Sequence, residues 1–190
     1  LPGQFMQLRF SGELNQGIDE KVRERVGMQS LRTFDTCLAE QRSFFNKTFG
    51  KVFVTTLREA SEEIARSEIF QSLRDIGKDL GQQPAQERVV LLISDMLENS
   101  DFGSFYANNR IRDLQPDAEL KRVADKGLFA DLQGARVYVA GAALVTKDVK
   151  QAYRSGKTIQ ALEGFWKGYF AGSNAQLVAF GAPSLNVDLK

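Results

Sequence analysis

Arg88-Val-Val-Leu-Leu-Ile-Ser94 is the stretch that most narrows what this chain can become. Val89 to Ile93 is the longest uninterrupted run of large apolar residues, far short of the roughly 20 residues a membrane helix needs. No membrane span is predicted. A continuous β-branched and aliphatic run of this length marks a strand covered on both faces, as in a parallel sheet. Downstream the text alternates between helix and strand periods. Asp117 to Leu132 carries Leu120, Val123 and Ala124 at helical spacing, with Gly127 as a break and Gly134 as a stop. Arg136-Val-Tyr-Val-Ala-Gly141 reads as the next strand. Lys157 to Ala171 aligns Ile159, Leu162, Phe165, Trp166, Tyr169 and Phe170 on one broad helical stripe. Gln176 to Gly181 closes the series. Strand, helix, strand, helix, strand predicts an α/β class: a doubly wound, mainly parallel sheet flanked by helices, of Rossmann-like order.

The first half reads differently. Phe5 to Phe10 alternates, with Met6, Leu8 and Phe10 on one face, as in a strand with one wet face. From about Leu31 an extended helical region follows on Leu31, Phe34, Leu38, Phe45 and Phe49, and helix is expected to continue through the β-branched segment 51–56. Ser67 is placed to N-cap a helix in which Ile69, Leu73, Ile76 and Leu80 recur, ended by the loop Gly81 to Pro84. No repeat or linker divides the 190 residues, so a single domain is expected.

Composition removes whole classes of chemistry. The chain has no histidine, which excludes His-zinc sites, haem ligation by His and the Ser-His-Asp and Cys-His machineries. Its net charge of +1 supplies no field to draw nucleic acid, and no nucleic-acid partner is expected. The single cysteine, Cys37, cannot close an intramolecular disulfide, which fits a cytoplasmic location first and a periplasmic one second. The first residue is Leu1 rather than Met, so the start of the gene product is expected upstream.

Leu92-Ile-Ser-Asp-Met-Leu-Glu-Asn-Ser-Asp101 is the most informative stretch for function. In an open parallel sheet, ligands gather beyond the carboxyl ends of the strands, where Ser94 and Asp95 fall. A hydroxyl and a carboxylate there suit a hard divalent cation, which prefers oxygen ligands. Equally, Asp95 caps the following segment and Ser94 holds the neighbouring loop. The Val89 to Asp95 strand with its polar loop resembles the fourth strand and third metal motif of von Willebrand factor A-like (VWA-like) domains. Ser67-Glu-Ile-Phe-Gln-Ser-Leu73, opening a helix ahead of that strand, is similar to the segment bearing the family's second motif. Arg136 to Gly141 and Phe165-Trp-Lys-Gly-Tyr-Phe170 match its last strand and helix pairs in order, over roughly residues 60–185.

The resemblance implies a VWA-like protein-interaction module with a protein partner and no catalysis, capturing its ligand around Ser67, Asp95 and the 96–110 loop. Ser67 and Asp95 carry over as metal-ligand candidates, for Mg2+ or Mn2+ in the full-length protein. Ser94, Asn99, Ser100, Phe102, Phe105 and Tyr106 are the candidates for partner contact, since aromatics and the arginines after them carry interface energy; the same aromatics are equally able to fold back over the sheet. The family's opening strand ends in Asp-x-Ser-x-Ser, which no segment here presents after a strand. Asp35-Thr-Cys37 is the nearest string and lies within helical periodicity. The resemblance therefore implies either an opening strand upstream of Leu1, leaving the domain N-terminally incomplete, or a member without the metal.

A second class of function competes. Arg154-Ser-Gly-Lys-Thr158 imitates the end of a phosphate-binding loop, so a nucleotide-binding or hydrolysing α/β protein using Asp95 and Lys157 is the alternative. The loop's first glycine is missing, since residue 151 is Gln, which leaves Ser155 to Thr158 as the polar start of a helix. Gly164, Gly168 and Gly172 recur every fourth residue and predict close approach of that helix to its sheet. Asn46-Lys-Thr48 as a glycosylation acceptor and Asp101-Phe-Gly103 as a kinase triplet are coincidences of short motifs.

Overall fold

The computed structural model describes residues 67–82, 85, 87–107, 110–144, 156–182 and 184–187, together with the isolated positions 47, 51 and 54. The chain divides into two units, Met6–Ala60 and Ser61–Lys190 with Leu1–Phe5. All the elements below belong to the second, which is described by itself. The expected strand at Phe5 to Phe10 and most of the helical region from Leu31 lie outside the described residues. Lys47, Lys51 and Val54 are helical, and the rest of the segment 51–56 lies outside the described residues.

Among the described residues, three helices and seven strands follow in the order α1 (Ile69–Gln82), β1 (Val89–Ile93), β2 (Asn99–Ser100), β3 (Gly103–Ser104), β4 (Tyr106–Ala107), β5 (Arg110–Ile111), α2 (Pro116–Asp125), β6 (Ala135–Ala140), α3 (Gly156–Gly172) and β7 (Ala175–Phe180). β1, β6 and β7 form a parallel sheet in that order, flanked by helices: an α/β fold. Gly127, at φ 61°, follows α2 and ends it earlier than the periodicity to Leu132 predicts.

The register decides which side chains enter the core. Val90 pairs with Val137 and Leu92 with Val139, and all four are buried. On β7 a bulge falls between the partners of Val137 and Tyr138: Leu177 pairs with Val137, whereas Phe180 pairs with Val139. Strict alternation would aim 177 and 179 at the core. The extra residue, Val178, lets Leu177 and Phe180 pack against it instead, and Val178 itself is exposed. Against this face lie Ile69, Phe70 and Leu73 of α1 and Leu162, Phe165, Trp166, Tyr169 and Phe170 of α3, all buried.

The opposite face of β1 corrects the expectation of a strand covered on both sides. Val89, Leu91 and Ile93 are between 38% and 47% exposed, alternating with the buried Val90 and Leu92. A continuous apolar run reports hydrophobicity on both faces without reporting whether both are covered.

The glycine ladder of α3 also differs from expectation, because it faces α2 and its following loop rather than the sheet. A Cβ at Gly168 would overlap Leu120, and one at Gly172 would overlap Phe129. Gly164 has room, its Cβ position being 3.7 Å from Pro116 Cγ. Gly164→Ala is therefore expected to stabilise the protein by about 0.5–1 kcal/mol, by removing backbone freedom from the unfolded chain. A denaturant midpoint raised in Gly164→Ala, but not in Gly168→Ala, is the expected result.

Candidate functional site

β1 hands the chain to an excursion, residues 94–112, at the carboxyl end of the sheet, whose described residues, 94–107 and 110–112, are tightly fastened. Ser94 N–H continues the ladder by donating to Ala140 O at 3.0 Å. Gly141, at φ 88°, ends β6 beside it, with its Cβ position only 3.4 Å from Ser94 O, so the turn takes a residue without a side chain. Side-chain oxygens then shape successive turns by accepting the N–H two residues on. Ser94 Oγ takes Met96 N–H, Asp95 Oδ1 takes Leu97 N–H, Ser100 Oγ takes Phe102 N–H and Ser104 Oγ takes Tyr106 N–H, at 3.0–3.1 Å. Between these turns run two miniature antiparallel hairpins, β2–β3 and β4–β5.

Asp95 is 4% exposed, and both its oxygens are engaged. Beyond the Leu97 bond, Oδ2 accepts the Tyr106 hydroxyl at 2.6 Å. Burial holds the carboxyl above the usual aspartate range. Burial, followed by the charge of Asp95, keeps the Tyr106 phenol protonated and donating. A cation needs carboxylate lone pairs turned toward open coordination positions, and this arrangement does not fit one. The Ser67 backbone forms a two-bond bridge with Asn99, at 3.0 and 2.9 Å. Among the described residues, no group of three or more carboxylates or cysteines stands where a metal ion could be held. Ser67, through its backbone, and Asp95, through both carboxyl oxygens, help to fasten the excursion.

Ser67 does not N-cap α1. Glu68 O accepts the Ser72 N–H, so the helix starts later, and the cap comes from a distant side chain. Glu98 Oε2 accepts Ile69 N–H at 2.8 Å and Phe70 N–H at 3.2 Å. Glu98 is 1% exposed, and burial pushes its carboxyl up to about 7. No short-range pattern announces this pairing, which joins residues 28 and 29 apart in sequence.

Of the residues expected to meet a partner, Phe102 and Phe105 are buried. Their rings pack edge-on against Phe70 at 5.0 and 6.4 Å, and Phe105 also meets Phe165 at 5.1 Å. Those rings belong to the core and are withdrawn from any partner. Ser94, Asn99, Ser100 and Tyr106 are half-buried, with Asn99 and Ser100 on a hairpin strand. Sequence reading also missed a second fastening. Glu119, 5% exposed on α2, accepts from Arg112 at 2.7 Å and Arg122 at 2.6 Å. Arg122 in turn donates to Phe102 O at 2.8 Å, with its guanidinium 4.5 Å from the Phe102 ring centroid.

Lys157, the other half of the nucleotide alternative, is exposed in the first turn of α3, and residues 151–155 ahead of it lie outside the described set. Asp95 has no uncommitted oxygen to act beside it. An open groove of about 730 Å³ elsewhere on the unit is lined by Arg136, Tyr138, Gln176, Val178, Leu185 and Val187. Its described lining holds no carboxylate side chain, and Arg136 is ion-paired with Glu87 at 3.2 Å. No helix among the described residues is long and apolar enough to cross a membrane. The chain matches no protein-family model, and no curated protein or solved structure shows significant similarity to it.

Proposed function

We propose that this chain is a protein-interaction module of VWA-like, Rossmann-like type, which meets its partner through the outer surface of the excursion after β1. The observation that supports this reading is the fastening of that excursion. Buried anchors hold it to the rest of the unit through Glu98 to α1 and through Phe102 and Phe105 among the core rings, while the Asp95–Tyr106 bond braces it internally. A surface already ordered before binding avoids much of the entropy cost of association, which is what a recognition surface requires. Exposed on its outer side is the polar Asp101, with the exposed Asp113 immediately after the excursion. No catalysis is invoked.

Photo-crosslinking in the native cell tests this. A benzophenone amino acid at Asp101 or Asp113 is expected to yield a discrete adduct with one protein species, while the same probe at the exposed Gln160 of α3 yields none. Equal labelling from all three positions, or none from Asp101 and Asp113, overturns it. Thermal stabilisation by ATP with magnesium, abolished in Lys157→Ala, would favour the nucleotide-binding alternative instead.

A further inference from the structure

Glu98 is fastened on one side only. Oε2 carries both helix N–H bonds, while Oε1 is enclosed without a well-formed hydrogen bond. The backbone around it ties the same two elements together, through the Ser67–Asn99 bridge and through Phe105 N–H donating to Glu98 O at 2.8 Å. An ionised carboxylate in this position must leave water, with Oε1 only weakly compensated. A neutral carboxyl has much less to lose. We propose that Glu98 is a proton-operated latch, which clasps the first turn of α1 to the 94–112 excursion when neutral and loosens that clasp when the carboxyl ionises.

The surrounding charges act in the same direction or are already neutralised. Glu68, immediately before α1, adds like charge, and the Ser100 hydroxyl with the two backbone N–H groups offsets only part of the burial. From α3 the facing titratable group is the Tyr169 hydroxyl, which burial keeps protonated and which donates to Leu128 O at 3.0 Å. Arg74, further along α1, acts on Tyr169. Glu119 on α2 is matched by its two arginines, and Asp95 is held by Tyr106. With no histidine in the chain, no imidazole titrates in the same window.

The direction follows from proton linkage. The closed state keeps its proton up to about pH 7, whereas an opened, solvated Glu98 loses it near the ordinary value of 4.5. Closure is therefore fully favoured at acid pH, and the advantage is lost as pH rises from 4.5 to 7. The latch does not depend on what the excursion binds; only its effect on partner capture rests on the interaction reading.

Amide hydrogen exchange on the full chain, read by NMR at Ile69 and Phe70 and corrected for intrinsic rates, tests it. Their opening equilibrium is expected to rise about 25-fold between pH 5.5 and pH 8. In Glu98→Gln, whose side chain cannot ionise, the rise is expected to be much smaller, leaving only what the raised Asp95 carboxyl contributes. A flat wild-type profile, or a Glu98→Gln profile as steep as wild type, overturns the latch. Should Glu98→Gln fail to fold, the carboxyl 13C shift of Glu98 in the wild-type protein decides: a midpoint near 7 supports the latch, and one near 4.5 refutes it.

Discussion

Trp166→Ala is expected to lower the free energy of unfolding by about 3–5 kcal/mol, the range for deleting a buried large aromatic side chain. Trp166 is fully buried, with its ring centroid between 5.1 and 6.3 Å from those of Phe70, Phe105, Phe165, Tyr169 and Phe170. Those partners come from α1, the excursion and α3, so the cavity opens where three separate parts of the chain meet. Its indole N–H also donates to Met96 O at 2.8 Å, which ties the turn after β1 to α3. Trp166→Phe separates the two contributions. It retains most of the volume but strands the Met96 carbonyl, so a smaller loss of about 1–3 kcal/mol is expected. Chemical denaturation followed by far-ultraviolet circular dichroism checks both variants. A Trp166→Ala loss below about 1 kcal/mol would mean that the ring cluster is not the centre of the core.

The second large effect is expected at Gly77→Ala. Alanine normally stabilises a helix interior by about 1 kcal/mol relative to glycine. Here the added methyl would overlap the carbonyl oxygen and carbon of Asp131, which are backbone atoms with no rotamer to change. Separating α1 from the loop after α2 is the available relief, and overpacking of that kind costs about 1–3 kcal/mol. The sign is therefore opposite to that expected for Gly164→Ala, although both glycines lie inside helices. Unfolding of Gly77→Ala at or above the wild-type denaturant midpoint would show that α1 can shift at no cost.

The three strands of the sheet and the helices around them were legible because each carries its own period. The buried stripe of α3 runs through Leu162, Phe165, Trp166, Tyr169 and Phe170, as the spacing predicts. β6 and β7 fall within one residue of their expected bounds. The candidate site was legible only in its location. Ser94 and Asp95 do stand at the carboxyl end of β1, yet what they bind is decided by Tyr106, eleven residues away from Asp95, and by backbone N–H groups that no residue type announces. Glu98 and Glu119 carry the same lesson more sharply. A glutamate in a polar loop or on a helix reads as solvated, and only the fold reveals that one caps a distant helix and the other gathers two arginines. The four short strands escaped notice because two-residue pairings are too brief to show alternation.

Met96 adopts φ 60° while its side chain is completely buried. The two demands at this position point to different amino acids. A left-handed backbone is most comfortable as glycine, whereas the enclosed space wants a long, flexible, apolar side chain. No residue of the standard set satisfies both, so position 96 is locally frustrated, and its compromise is supported from outside by the Trp166 bond to its carbonyl. Mutational improvement of the fold is therefore closed at this position: glycine would relax the chain and empty the core, and any bulkier branched residue would do the reverse.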